Sequence, residues 1–194
     1  MPASSRPSPF PRPCEPLRAP LDELVACLAQ LEETDPRAHA ALAALEDLGP
    51  AAIAPLVASF HRCAGADLRA RYAEALLRCQ APKHDRVLEA FVRMLEDDPV
   101  RGASYLSEQG DRRAVPDLSR ALDRAALVPE KDVDWFSNED VVALASAILR
   151  LGGKLMAGQQ AKLDEVLRRR DACWEAGLPF EDEDEDGEEE DSEP

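Results

Sequence analysis

Leu56-Val57-Ala58-Ser59-Phe60-His61-Arg62 is followed 31 residues later by Val87-Leu88-Glu89-Ala90-Phe91-Val92-Arg93, and 31 residues after that by Leu118-Ser119-Arg120-Ala121-Leu122-Asp123-Arg124. The first and fifth positions of each stretch are apolar, and the seventh is always Arg. First and fifth are i and i+4, which lie on one face of a helix. A helix recurring at a fixed period of this length signals stacked helical units, each too small to bury its apolar face alone. The expected fold is all-α, a short α-solenoid of three to five helical pairs. Few β-branched runs and no period-2 alternation argue against a sheet.

Outward from this repeat, apolar stripes and breakers mark the other helices. Pro20 opens the first, over 20–33, with Leu21, Leu24, Val25, Leu28 and Leu31 on one face. Asp35 and Pro36 supply an N-cap and a first residue for 36–48, which Gly49 and Pro50 end. Further helices are expected at 51–63, 67–79, 83–96, 99–109 and 112–125, then one capped by Ser137 or Asn138 and ended by Gly152-Gly153, and a last one over 159–175 closed by Trp174. The periodicity pairs 36–48 with 51–63, 67–79 with 83–96, and 99–109 with 112–125. Residues 126–137, with Pro129 and the adjacent Trp135 and Phe136, break the period as an inserted loop.

Composition sets the flanks. Six prolines within residues 1–19 exclude helix and ladder, so this segment is expected to be a disordered arm. Residues 179–194 are expected to be a disordered acidic tail. The solenoid is expected over 20–178. Of 39 acidic residues, 11 lie in 181–194, so most of the net charge of −16 sits in the tail and the body is only mildly acidic. A free polyanion repels nucleic acid and anionic membrane, and neither is an expected partner. The five cysteines are odd in number and lack C-x-x-C spacing, which reads as reduced thiols in the cytoplasm rather than a disulfide frame or metal site. No apolar run approaches a membrane span.

The stretch Tyr105-Leu106-Ser107-Glu108-Gln109-Gly110-Asp111-Arg112-Arg113-Ala114-Val115-Pro116-Asp117-Leu118 resembles the helix–turn–helix junction of HEAT-like repeats, especially the short kind of the phycobilin lyases. Leu48 to Leu56 is a weaker copy, with the same Gly-to-Pro spacing. In both, Gly takes the left-handed cap and Pro falls in the first turn of the second helix. The resemblance covers about 36–125 well and 137–175 loosely. It implies a stack of HEAT-like hairpins. Most proteins of this kind are binding scaffolds, and some are lyases or DNA glycosylases.

Arg62, Arg93 and Arg124 recur near the ends of the repeated helix. In a HEAT-like stack these helices line the concave face, so a basic ladder gripping an acidic partner is one reading, and simple helix-dipole complementation is the other. Arg120 and Arg169 would extend the ladder. Trp135 and Phe136 are a candidate interface anchor, or else a loop folded over the core. His39, His61 and His84 lack the His-Glu dipeptides of a di-iron HEAT enzyme, and no phosphate loop, nucleophile elbow or metal spacing is present. No cofactor is expected. The expected function is a non-catalytic protein–protein interaction scaffold that binds its partner through the concave face. One alternative is an acidic, immunity-like neutraliser of a basic toxin or nucleic-acid-binding protein. Another is a HEAT-type lyase or other small-ligand enzyme.

Overall fold

Capping residues set where the helices begin and end. The computed structural model describes residues 21–30, 35–79, 84–129 and 137–175. The arm 1–19, the Trp135-Phe136 pair and the tail 179–194 lie outside the described residues. α1 spans Leu21–Gln30. Asp35 then accepts a 2.7 Å bond from the Arg37 N–H, and Pro36 begins α2 (Pro36–Leu48). Gly49, at φ 54°, ends α2, and Pro50 opens α3 (Pro50–Arg62) directly. α4 (Ala66–Arg78) and α5 (Asp85–Asp97) follow. Asp98 caps α6 (Pro99–Gln109) through the Arg101 N–H at 3.0 Å. Gly110 takes the left-handed conformation that a side chain would disfavour, and one 3-10 turn, Arg112–Ala114, leads into α7 (Val115–Arg124). α8 (Glu139–Arg150) and α9 (Ala157–Glu175) complete the all-α fold; among the described residues there is no strand.

The chain divides into two compact units, Met1–Asp111 and Arg112–Pro194. In the first, α1 packs on α2, α3 on α4 and α5 on α6, while α1, α3 and α5 line up in one layer and α2, α4 and α6 in another. This is solenoid-like stacking of consecutive helices, and the 31-residue repeat supplies its core. Leu56, Phe60, Val87 and Phe91 are buried, while Arg62 and Arg93 at the recurring basic position are exposed.

Within this unit the hairpins fall one helix away from the pairing expected from periodicity. α3 packs most extensively on α4 rather than α2, and α5 on α6 rather than α4. Side-chain size explains the closest of these pairs. Gly102 of α6 lies against α5 so tightly that a Cβ there would be 3.0 Å from both the Leu95 N and Cδ2. Beside it the Phe91 and Tyr105 rings stack with centroids 5.5 Å apart. Arg69 of α4 donates to the Cys63 carbonyl at the end of α3 (3.1 Å) and pairs with Asp97. The two proline junctions also differ. Pro116 is the second residue of α7, as expected, but Pro55 is the sixth residue of α3, because Pro50 has already started that helix.

In the second unit α7 packs on α8 and α8 on α9, around Leu118, Leu122, Val141, Leu144, Ile148 and Val166. Asn138 occupies the N-cap position of α8 at φ 63°, yet its side chain makes no capping bond. Its Oδ1 accepts from the Val128 N–H at 2.7 Å and so ties down the segment after α7. Trp174, expected to close the last helix pair, is 66% exposed. It lies on the α9 face with Leu167, whereas the buried Val166 faces the core.

Candidate functional site

Because α3 and α5 are layered neighbours, residues near the C-terminal ends of the two repeated helices meet. The Arg93 Nη1 lies 3.4 Å from the His61 Nδ1. A guanidinium only donates, so the imidazole nitrogen accepts in this contact. Arg62, the last residue of α3, donates to the Ser59 Oγ at 3.3 Å. All three of His61, Arg62 and Arg93 are exposed. Neither arginine pairs with a carboxylate among the described residues. Arg69, Arg78 and Arg101 of the same unit do, with Asp97, Glu74 and the pair Asp67 and Asp98 respectively. Arg62 and Arg93 bond no helix-end carbonyl among the described residues, although Arg62, in the last turn of α3, stands where a cation complements the helix dipole.

The candidate arginines of the second unit differ from one another. Arg124 ends α7 and is exposed. Arg120 is tied to Asp117 one turn away. Arg169 is largely covered: it donates to the Val128 carbonyl and to Glu165, both at 2.7 Å, and so fastens the segment after α7 onto α9. Hydrogen bonds from Arg168 and Arg169 hold the Glu165 carboxyl down at about 2.

Three interior contacts of this unit have no signal in the sequence pattern. The Lys162 Nζ donates to the carbonyls of Leu122 (2.7 Å), Asp123 (3.2 Å) and Ala125 (2.7 Å), and so caps the C-terminus of α7. Gln159, almost wholly buried, donates to the Ser119 carbonyl and the Asp123 Oδ1 and accepts from the Met156 N–H. The Arg112 Nε donates to the Leu151 carbonyl at 2.9 Å at the end of α8. Its guanidinium lies where a Cβ on Gly152 would project, but that flexible end could shift; the positive φ of 74° is what favours glycine there.

The first unit also holds a cavity of about 190 Å³ between α1, α2 and α4. Leu28, Ala38 and Leu42 form its apolar floor; His39 of α2 and Arg71, Glu74 and Arg78 of α4 line the rest. The α4 residues are spaced i, i+3, i+7, which places them on one face. Glu74 accepts from the Arg78 Nη2 at 2.7 Å. Each of these residues read singly is an ordinary helix surface position, and none was expected as a site.

Cys27, Cys63, Cys79 and Cys173 are free. Cys79, at the end of α4, is buried and its thiol donates to the Leu45 carbonyl at 3.2 Å; burial, with the nearby Glu46 carboxylate, pushes it up to about 11. Among the described residues no cluster of His, Cys, Asp and Glu is placed to hold a metal, and no helix is long and apolar enough to cross a membrane. Comparison with protein-family models, with curated protein sequences and with solved structures finds no match to the chain.

Proposed function

We propose that the chain is a non-catalytic protein-interaction module of HEAT-like descent, working in the cytoplasm, and that it takes an acidic segment of a partner protein on the α3/α5 face. One observation carries this reading: Arg62 and Arg93 stand exposed beside His61 without a carboxylate partner among the described residues, in a chain of net charge −16. Guanidinium groups left uncompensated in an acidic protein are available for bidentate carboxylate recognition. Stacked helical hairpins present such positions at a regular step, which suits an extended peptide. The junction at Tyr105–Leu118 and the free thiols support the HEAT-like and cytoplasmic parts of the reading.

The test is capture from native extract with the full chain and with the Arg62→Glu/Arg93→Glu variant, at low and high salt. The expected result is a partner with an acidic segment, lost in the variant and weakened by salt. Undiminished capture by a folded double variant would sink the assignment of this face.

The concentration of 11 acidic residues in 181–194 favours a second reading, neutralisation of a basic partner by the tail. A variant ending at Pro179 separates the two. It keeps the acidic partner under the first reading and loses a basic one under the second.

A further inference from the structure

We propose that the outer face of α9 is a dimerisation surface, on which a second copy of this chain lays its own α9 antiparallel. The surface lies in the second unit, goes beyond the α3/α5 face and shares no residue with it.

Met156, Leu163, Leu167 and Trp174 fall within about 40° of arc at about 100° per residue, so they form one row along α9. Met156 belongs to the row because its carbonyl accepts from the Gln160 N–H at 2.9 Å and so joins the first turn. The row runs beside the face that carries the buried Gln159 and Val166, not on it. Its side chains are large, apolar and open: Met156 is 70% exposed, Leu167 44% and Trp174 66%, while Leu163 is partly exposed. A contiguous apolar row rimmed by polar residues marks an interaction surface.

The spacing identifies the occupant. The steps along the row are 7, 4 and 7 residues, which read the same in both directions. A two-fold axis beside residue 165 therefore turns the row onto itself, with Met156 opposite Trp174 of the second copy and Leu163 opposite its Leu167. An isologous interface requires this self-complementarity, whereas an unrelated helix does not. A thioether against an indole is also a favourable contact. The polar edge agrees in the same register. Asp164 comes opposite Arg168 of the second copy, and Asp171 opposite its Gln160, so each carboxylate meets a donor. A parallel pair would set each carboxylate against its own equivalent. These carboxylates and the net charge of −16 also disfavour an anionic membrane as the occupant.

The row is about 27 Å long. Four side chains from each copy bury less than the roughly 1,200 Å² at which standard interfaces begin, so a Kd on the order of 100 μM is expected. The experiment is sedimentation equilibrium of the full chain from about 10 μM to about 1 mM, in about 0.3 M salt to screen the repulsion between two acidic chains. A monomer–dimer equilibrium is the expected result. Leu167→Glu should weaken it at least about tenfold, since it places a charge at the centre of the apolar row. Should Leu167→Glu fail to fold, Trp174→Gln decides, because that side chain is largely exposed. Arg62→Glu/Arg93→Glu should leave the dimer unchanged, whatever becomes of the protein partner. A sample mixing isotope-labelled and unlabelled copies reads the register, with intermolecular NOEs expected between the Met156 methyl and the Trp174 ring. The inference is overturned by a chain that stays monomeric at about 1 mM, including one whose α9 captures some other helix. It is equally overturned by a dimer indifferent to the α9 variants or lost in Arg62→Glu/Arg93→Glu, or by a dimer without the Met156–Trp174 NOE.

Discussion

Two glycine-to-alanine substitutions, both in helices, should change stability in opposite directions. Alanine is favoured over glycine in a helix interior by about 1 kcal/mol, so propensity alone predicts a gain at both sites. At Gly158, near the start of α9, nothing lies within 4 Å of an added Cβ. Only the propensity acts there, and the expected gain is about 0.5 kcal/mol, less than the full value because the first turn is only half constrained.

At Gly102 the same methyl would sit 3.0 Å from the Leu95 N and Cδ2 and 3.2 Å from the Met94 carbonyl carbon. Two of those three atoms are backbone, so a rotamer change cannot relieve the clash. α6 must move several tenths of an ångström away from α5 to reach the ordinary separation of about 3.5–4 Å. Overpacking of this kind costs about 1–3 kcal/mol, which exceeds the propensity gain and leaves a net loss of about 1 kcal/mol.

Urea titration followed by amide NMR reads the two compact units separately, which matters because they need not share one transition. The midpoint for first-unit amides should fall in Gly102→Ala, and the midpoint for second-unit amides should rise in Gly158→Ala. A stabilised Gly102→Ala protein would refute the reasoning, since it would mean that α5 and α6 do not meet backbone to backbone at this point.

Three further outcomes follow from contacts described above. Lys162→Met keeps the aliphatic stem but strips three carbonyls at the end of α7 of their donor; a loss of about 1.5 kcal/mol is expected in thermal unfolding of the second unit, and no loss would show that water replaces the ammonium without penalty. Cys79, pushed up to about 11, should alkylate at pH 8 at least about a hundredfold more slowly than an ordinary thiol, whereas Cys27, Cys63 and Cys173, each partly exposed, react readily; mass spectrometry of a time course checks this, and equal labelling of all four would contradict the burial of Cys79. Glu165, held at about 2, is ionised in the folded chain well below its unfolded value of about 4.3, so its stabilising contribution is present above that value and is lost as the pH falls through about 2. A carboxyl-shift NMR titration should place its midpoint below 3, and Arg168→Ala with Arg169→Ala should move it back toward the ordinary range.

The helices were legible in the sequence because their ends are local chemistry. Asp35 before Pro36, Asp98 before Pro99, and Gly110 each act within a few residues, and each cap stands where the residue types imply. The pairing of helices was not legible, because the buried residues of α3, from Ala52 to Phe60, form one broad apolar face that meets α1, α2, α4 and α5, and its pattern does not say which neighbour covers which. The choice lies partly in Gly102, whose meaning is a distance to Leu95 and not a periodicity. The repeated Arg was visible as a pattern, yet its environment was not: the structure sets Arg93 against His61, 32 residues away. Arg169, which looked like another rung, is instead committed to Val128, 41 residues away. The cavity had no sequence signal at all. Arg71, Glu74 and Arg78 form the usual mixed-charge face of a helix until α1 and α2 are placed beside it.

The layered arrangement of α1 to α6 has a consequence for how the first unit comes together. Its main contacts join helices that are at most three apart along the chain, so no long loop has to close before a favourable contact forms. Assembly can begin at any hairpin and spread to its neighbours, and the energy is close to a sum of nearest-neighbour terms. α3 and α4 have a hairpin on either side and α1 has one on a single side. Amide exchange should therefore run as a gradient, fastest in α1 and slowest in the α3/α4 hairpin, rather than as one uniform barrier.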